Sequence, residues 1–427
     1  MTTAPNSKTA RSAVRPPWSV LLPAAACLVP LVVLALPAAG EDWPAYRRDI
    51  HRGSVTAEKL ALPLAEAWVA RTARAPAPAW TESPAAHDYL HKHYNLKPRQ
   101  DFDPCFDVAV VGQRVYFGSS VSGAVTCLDA AHGGRVLWTF FTDGPVRFAP
   151  QVAADRVYFG SDDGFVYCLR DDDGSVVWTE RVGPSAEKLW GNEHMISVWP
   201  VRSSVLVDGD DVFWSAGLFP REGTFLCKRK AADGSGGWTV TPARPHQGYL
   251  VATAESLIAP SGKTSPVLYR RDNGRREGDL RKGGRGGSWV LVTPDESGVF
   301  SGPTLDATAE QFKAPARSFV ASLPRANRLI VDGASVYFNT DSEIASLHRD
   351  DRSTAWRQGH AYPFALLKAG EHLFAGGDGK VAALDAATGN RLWQAPVEGR
   401  AHGLAVANGA LYVSTDRGSI YCFRTRK

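Results

Sequence analysis

The stretch ALDAATGNRLW, residues Ala383–Trp393, decides the fold. It opens on a small residue at the end of the apolar run Val381-Ala382. Asp385 offers a side-chain acceptor for turn N–H groups, and Gly389 is free to take positive φ. A second short strand then ends on Trp393. The pattern predicts a β-hairpin with a small side chain at one end and an indole at the other.

The unit recurs. Cys168–Trp178 (CLRDDDGSVVW) and Ser346–Trp356 (SLHRDDRSTAW) keep its length, whereas Cys127–Trp138 and Cys227–Trp238 carry one more turn residue. Leu268–Gly278 keeps the turn without the Trp, and a last copy begins at Ile420-Tyr421-Cys422. A β-rich pair precedes each hairpin. The apolar markers ending its second strand are Phe117, Phe159, Trp214, Ile258, Phe300, Phe338, Phe374 and Val413, spaced 36 to 55 residues apart. Each interval suits four short strands. The prediction is all-β: an eight-bladed β-propeller of four-stranded antiparallel blades. Seven blades remain open, because the unit near Ser288–Leu323 is degenerate. The last unit has only three strands' worth of residues; Ala61–Arg71 (ALPLAEAWVAR) supplies a fourth, with Trp68 in the docking position. The propeller is thus expected to be closed by an N-terminal strand.

These hairpins resemble the tryptophan-docking repeats of the pyrroloquinoline-quinone (PQQ)-like β-propellers, and Asp42–Asp49 (DWPAYRRD) resembles the entry segment of many of them. The resemblance covers nearly the whole chain after the leader. It implies the fold, with Trp68, Trp138, Trp178, Trp238, Trp356 and Trp393 as docking residues. It leaves activity open, because the family includes quinoprotein dehydrogenases, a barrel-assembly lipoprotein of the outer membrane, and many propellers of unknown role.

Residues 1–40 read as a signal peptide or an N-terminal membrane anchor. Lys8, Arg11 and Arg15 precede an apolar run, 18–39, interrupted by Pro23, Pro30 and Pro37, and Ala38-Ala39-Gly40 offers a small-residue cleavage site. Ala24-Ala25-Ala26 before Cys27 is a poor lipobox. Residues 41–106 form an N-terminal segment with the blade-closing strand and an irregular linker, and 107–427 the propeller. Export is therefore expected, to the periplasm, the medium or a membrane tether. Without the leader the formal charge falls from +4 to +1, and nothing implies nucleic acid. Cys127, Cys168, Cys227 and Cys422 share one repeat position, as do Ala383 and Ser346. Equivalent sites in different blades are too far apart to bridge, so these cysteines read as small hydrophobes under an indole.

Propeller ligands are expected at the channel or its rim. Twelve residues before the markers, the expected rim positions include Arg147, Arg202, His246, Ala326 and Tyr362; Gln247 adjoins His246, and His402 is one place off register. Two arginines at equivalent positions in neighbouring blades suit a small anionic ligand; alternatively they are structural and pair with a turn acid such as Asp143. His87, His91 and His93 are weak metal candidates, because no single regular element presents all three. Ser161–Gly164 and its counterparts read as hairpin turns and not calcium loops. Glu193, His194 and Asp208 would form an acid/base group only if folding united them. Trp190–Pro200 and Ala216–Gly223 exceed the repeat and are where a partner site is expected. No nucleophile elbow, phosphate loop or zinc-protease motif is present.

The functional expectation is an extracytoplasmic, non-catalytic module that binds a protein or a small anionic ligand. The alternatives are a PQQ-dependent dehydrogenase and an envelope assembly scaffold. No cofactor is predicted: PQQ is the candidate that the resemblance implies, but its site residues are not recognisable.

Overall fold

Turn chemistry and alternating apolar residues produce antiparallel meanders throughout. The computed structural model describes residues 40–426 except 81–101, 192, 263, 285, 305–307, 315–316 and 325. The candidates His87, His91 and His93 lie outside the described residues. Four-stranded sheets run in chain order, the first comprising Val108–Val111, Arg114–Ser119, Ala124–Asp129 and Arg135–Phe141. The degenerate unit also forms one, from Gly286–Val292 to Ser318–Pro324. All eight markers lie on the second strand of their repeat and are buried. The last two repeats run together in a seven-stranded sheet through the continuous strand Arg391–Ala407. The described residues include no helix long and apolar enough to cross a membrane.

Closure is direct. Leu64–Arg71 pairs antiparallel with Ser419–Thr425, and Trp68 lies opposite Cys422. The small-residue rule has the same origin in other repeats: Cys127 faces Trp138, Cys168 faces Trp178, Ser346 faces Trp356 and Ala383 faces Trp393; Cys227 departs from the expectation, because the register there sets Thr239 opposite it and Trp238 opposite Lys228. The five described cysteines are buried thiols. Burial pushes the Cys127 and Cys227 pKa up to about 12, so they pack and do not react.

Each indole also reaches the adjoining repeat, which hairpin spacing does not reveal. The Nε1–H of Trp138 donates to Asp171 O at 3.1 Å, Trp178 to Ala231 O at 2.9 Å and Trp238 to Arg271 O at 3.0 Å. Trp356 donates to Ala386 O at 3.1 Å, Trp393 to Leu64 O at 2.9 Å and Trp68 to Ala130 O at 3.0 Å. The contact continues from the last repeat to the first. A Cβ on Gly134 would lie 2.6 Å from the Trp68 ring, and one on Gly389 2.5 Å from the Trp356 ring. Both glycines have φ above +70°, so the turn and the docked ring each require glycine.

The entry segment lies across the first strands of the repeats. Trp43 and Val110 exchange both backbone hydrogen bonds at 2.8 Å; the Val152, Ala252 and Val292 N–H groups donate to Pro44, Ile50 and His51 carbonyls. Val55–Thr56 adds a parallel strand to Ala365–Ala369. Unpaired inner-strand groups, costly if buried, are thereby satisfied from within the chain.

Candidate functional site

Two of the rim positions are built by one device. Val146 packs where a Cβ on Gly118 would come within 2.5 Å, and Val201 does the same to Gly160 at 2.3 Å. Only glycine after the aromatic marker admits these valines. Each valine anchors its loop and sends the next residue, Arg147 or Arg202, into the interior.

The arginines meet on one carboxylate. Arg147 Nε donates to Asp162 Oδ2 at 2.7 Å and Arg202 Nε to Asp162 Oδ1 at 2.6 Å. Arg147 Nη1 also donates to Asp103 Oδ2 at 2.9 Å and to Ala77 O at 2.8 Å. Asp103 accepts the Ala79 N–H as well, tying residues 77–79 to the ion-pair network. The turn acid expected to pair with arginine, Asp143, instead meets Lys188 at 3.3 Å. Asp162 was legible only as a turn residue, although its side chain holds two repeats together. Burial opposes charge on Arg147, but Asp162 and Asp103 outweigh it and hold its pKa above the ordinary value. At Arg202 burial prevails and the pKa falls.

The remaining rim candidates are scattered. Gln247 Oε1 accepts the Trp80 indole N–H at 2.8 Å, and His246 Nε2 lies 2.8 Å from the Tyr269 hydroxyl. Tyr362 is buried and donates to Gln394 Oε1 at 2.8 Å. Asp208 pairs with Arg271 at 2.7 Å. An aromatic column starts beside the arginine pair, at Phe102 and Phe148. Tyr46 stacks on Tyr249 at 3.5 Å, Tyr249 meets Phe148 edge-on at 5.1 Å, and Phe148 stacks on Phe102 at 5.0 Å.

At the Tyr46 end of the column a cavity of about 30 Å³ remains. Its lining includes Tyr46, Arg47, Ser54, Asp107, Arg328 and His402. The His402 ring packs on Phe364 at 4.7 Å, and its Nδ1 is buried without a hydrogen-bond partner. The sequence reading found His402 but missed Arg47, Asp107 and Arg328. Arg328 is two residues past the rim position expected in its repeat, at Ala326. Among the described residues, no three His, Cys, Asp or Glu side chains form a metal-binding group.

Burial pushes the His246 pKa down to about 3, with Arg244 and Arg276 adding to the effect and Asp279 opposing it. His402 falls to about 4 through burial and the Arg328 and Arg400 charges, opposed by Asp416 and Asp378. Both folded values lie below the ordinary 6.5, so the unfolded chain binds these protons first. Stability is expected to be flat above pH 6.5 and to fall between there and pH 3–4. The loss is on the order of 2–3 kcal/mol per histidine by pH 4. Urea melts at pH 7 and 4.5 check this. His246→Gln should flatten its share of the fall, which separates it from carboxylates titrating in the same range.

Repeated antiparallel sheets, joined blade to blade by indoles and closed by an early strand, define a PQQ-like β-propeller. The family model described as outer membrane protein assembly factor BamB matches residues 67–358 and 377–427, and the chain belongs to that family. BamB from Moraxella catarrhalis matches with a TM-score of 0.60 at 14% identity, over 86% of this chain and 98% of its own. The quinohemoprotein alcohol dehydrogenase from Comamonas testosteroni matches with a TM-score of 0.63 at 13% identity, over 90% and 82%. A europium-containing methanol dehydrogenase gives 0.62 at 11%, over 90% and 98%. At these identities the likeness is one of fold. No curated protein sequence matches the chain.

The residues present do not fit a quinone at the rim. The arginines that would face its carboxylates are already paired with Asp162 and Asp103.

Proposed function

We propose that this protein is an extracytoplasmic, non-catalytic propeller that binds a protein partner through a hairpin projecting beyond the repeat. The observation that carries this reading is the pair Lys188–Gly191 and His194–Ser197, a two-stranded sheet of its own. Trp190 lies directly opposite Met195, and the two are 70% and 46% exposed. Ile196 on the same hairpin is buried, so the element has a fixed base and an apolar outer face. Phe219, in the other insertion, is also exposed, and its loop is tied to the hairpin's continuation where Trp199 Nε1 donates to Glu222 O at 2.7 Å. Exposed Trp and Met on a supported element suit the buried centre of a protein interface. Membership of a family described by outer-membrane protein assembly agrees with an envelope location and a protein partner.

The test places a photo-crosslinking residue at position 190 in envelope extract. A discrete adduct is expected, and the purified partner should bind Trp190→Ala about 10–100-fold more weakly than wild type. The folding midpoint should be unchanged, because the side chain is exposed. No discrete adduct, or unchanged affinity in the variant, would remove the hairpin from the interface.

A further inference from the structure

We propose that the cavity among Arg47, Arg328 and His402 binds a carboxylate. The buried guanidinium groups of Arg147 and Arg202 face carboxylates, sharing Asp162, with Asp103 also on Arg147, whereas buried Arg52 donates to the carbonyls of Leu250, Tyr46 and Asp49. Arg47 is of the second kind. It is buried, yet its Nε donates to Ser54 Oγ at 2.7 Å and its Nη2 to Leu329 O at 2.5 Å, both uncharged acceptors. Arg328 Nη1 donates to Asn327 O at 3.0 Å, again an uncharged acceptor. Among the described residues, neither arginine lies in an ion pair. Among the described residues Asp107 is the one acid in the lining, and the Tyr249 hydroxyl at 3.2 Å and the Cys105 thiol at 3.5 Å already engage it. The lining therefore carries two guanidinium groups against one occupied carboxylate. Burial lowers the Arg47 pKa even with the Asp49 and Asp107 charges opposing it, so the lining favours an added anion.

Size and donor shape narrow the ligand. About 30 Å³ admits a group of one or two waters' bulk and no extended molecule. The planar fork of Arg328 matches the two oxygens of a carboxylate better than a spherical ion. His402 Nδ1, buried and unpartnered, adds a polar atom that carries an N–H in one tautomer. The ligand is thus a free small carboxylic acid or the carboxylate end of a longer chain. This site is independent of the exposed hairpin, so failure of either leaves the other standing.

The test follows the His402 imidazole resonances by NMR in histidine-labelled protein. Acetate, chloride, a short acetylated peptide with a free C-terminus and its amide are titrated at constant ionic strength. A saturable shift with acetate, absent with chloride, is expected. Arg328→Gln should weaken it at least about tenfold, and His402→Gln should weaken acetate binding measured by calorimetry, with circular dichroism confirming the fold of both variants. Acetate binding without the peptide identifies a free acid as the ligand; binding of both, without the amide, identifies a chain terminus. No saturable shift, an equal response to chloride, or unaltered binding in folded Arg328→Gln would overturn the assignment.

Discussion

Asp162→Ala is expected to destabilise the propeller by about 3–5 kcal/mol, the range for removing one partner from a buried ion pair. The Asp162 side chain is 0% exposed, and its two oxygens accept from different repeats, Arg147 on one and Arg202 on the other. Alanine leaves both guanidinium groups in place, facing each other without the charge between them. Asp103 still compensates Arg147, but the Arg202 Nε would lose its carboxylate. Asp162→Asn should cost less, because an amide oxygen still accepts one hydrogen bond. Combining Asp162→Ala with Arg147→Met and Arg202→Met should recover much of the loss, since the penalty comes from unpaired charge and not from missing volume. Equilibrium urea unfolding of the three variants checks the order. A cost below about 1 kcal/mol for Asp162→Ala would mean that water reaches these arginines and the network holds nothing.

The repeat was legible because it is written in local spacing. A small residue, a turn and a Trp recur at nearly fixed separation, and strand pairing places Cys127 opposite Trp138 as that spacing demands. Closure was legible for the same reason: Trp68 follows the motif, although Cys422 is far from it in sequence. Contacts between repeats were not. Nothing within one hairpin says that its indole will rest on the next turn, at Gly134 or Gly389. The register picked out Arg147 and Arg202 as a pair, but their partner Asp162 was hidden in a Ser-Asp-Asp-Gly turn, where an acid needs no further explanation. Asp42–Asp49 was recognisable as an entry segment, yet its course across the inner strands depends on backbone hydrogen bonds. Those have no side-chain signature.

Trp68→Ala is expected to cost about 3–5 kcal/mol by lost burial and the cavity left behind, and to exceed Trp356→Ala. The two indoles make the same kind of contact, Trp68 to Ala130 and Trp356 to Ala386. They differ in burial, with Trp68 only 8% exposed and Trp356 partly open. They also differ in what holds their strand. The strand Thr354–Gln358 belongs to a meander whose neighbours follow in sequence, so losing its indole leaves three consecutive strands intact. Leu64–Arg71 is paired with Ser419–Thr425 across more than 340 residues and has no other strand beside it. When Trp68 is lost, this strand can leave, exposing the hydrogen-bonding edge of Ser419–Thr425 to another chain. Trp68→Ala should therefore both lower the urea midpoint and form higher-order species on size exclusion, while Trp356→Ala lowers the midpoint alone. Trp68→Phe, which keeps most of the packing but not the N–H, should cost only about 1 kcal/mol, the share of the lost hydrogen bond, and remain monodisperse. Equal midpoints and equal monodispersity for the two alanine variants would place the weak point of the ring somewhere other than the strand that shuts it.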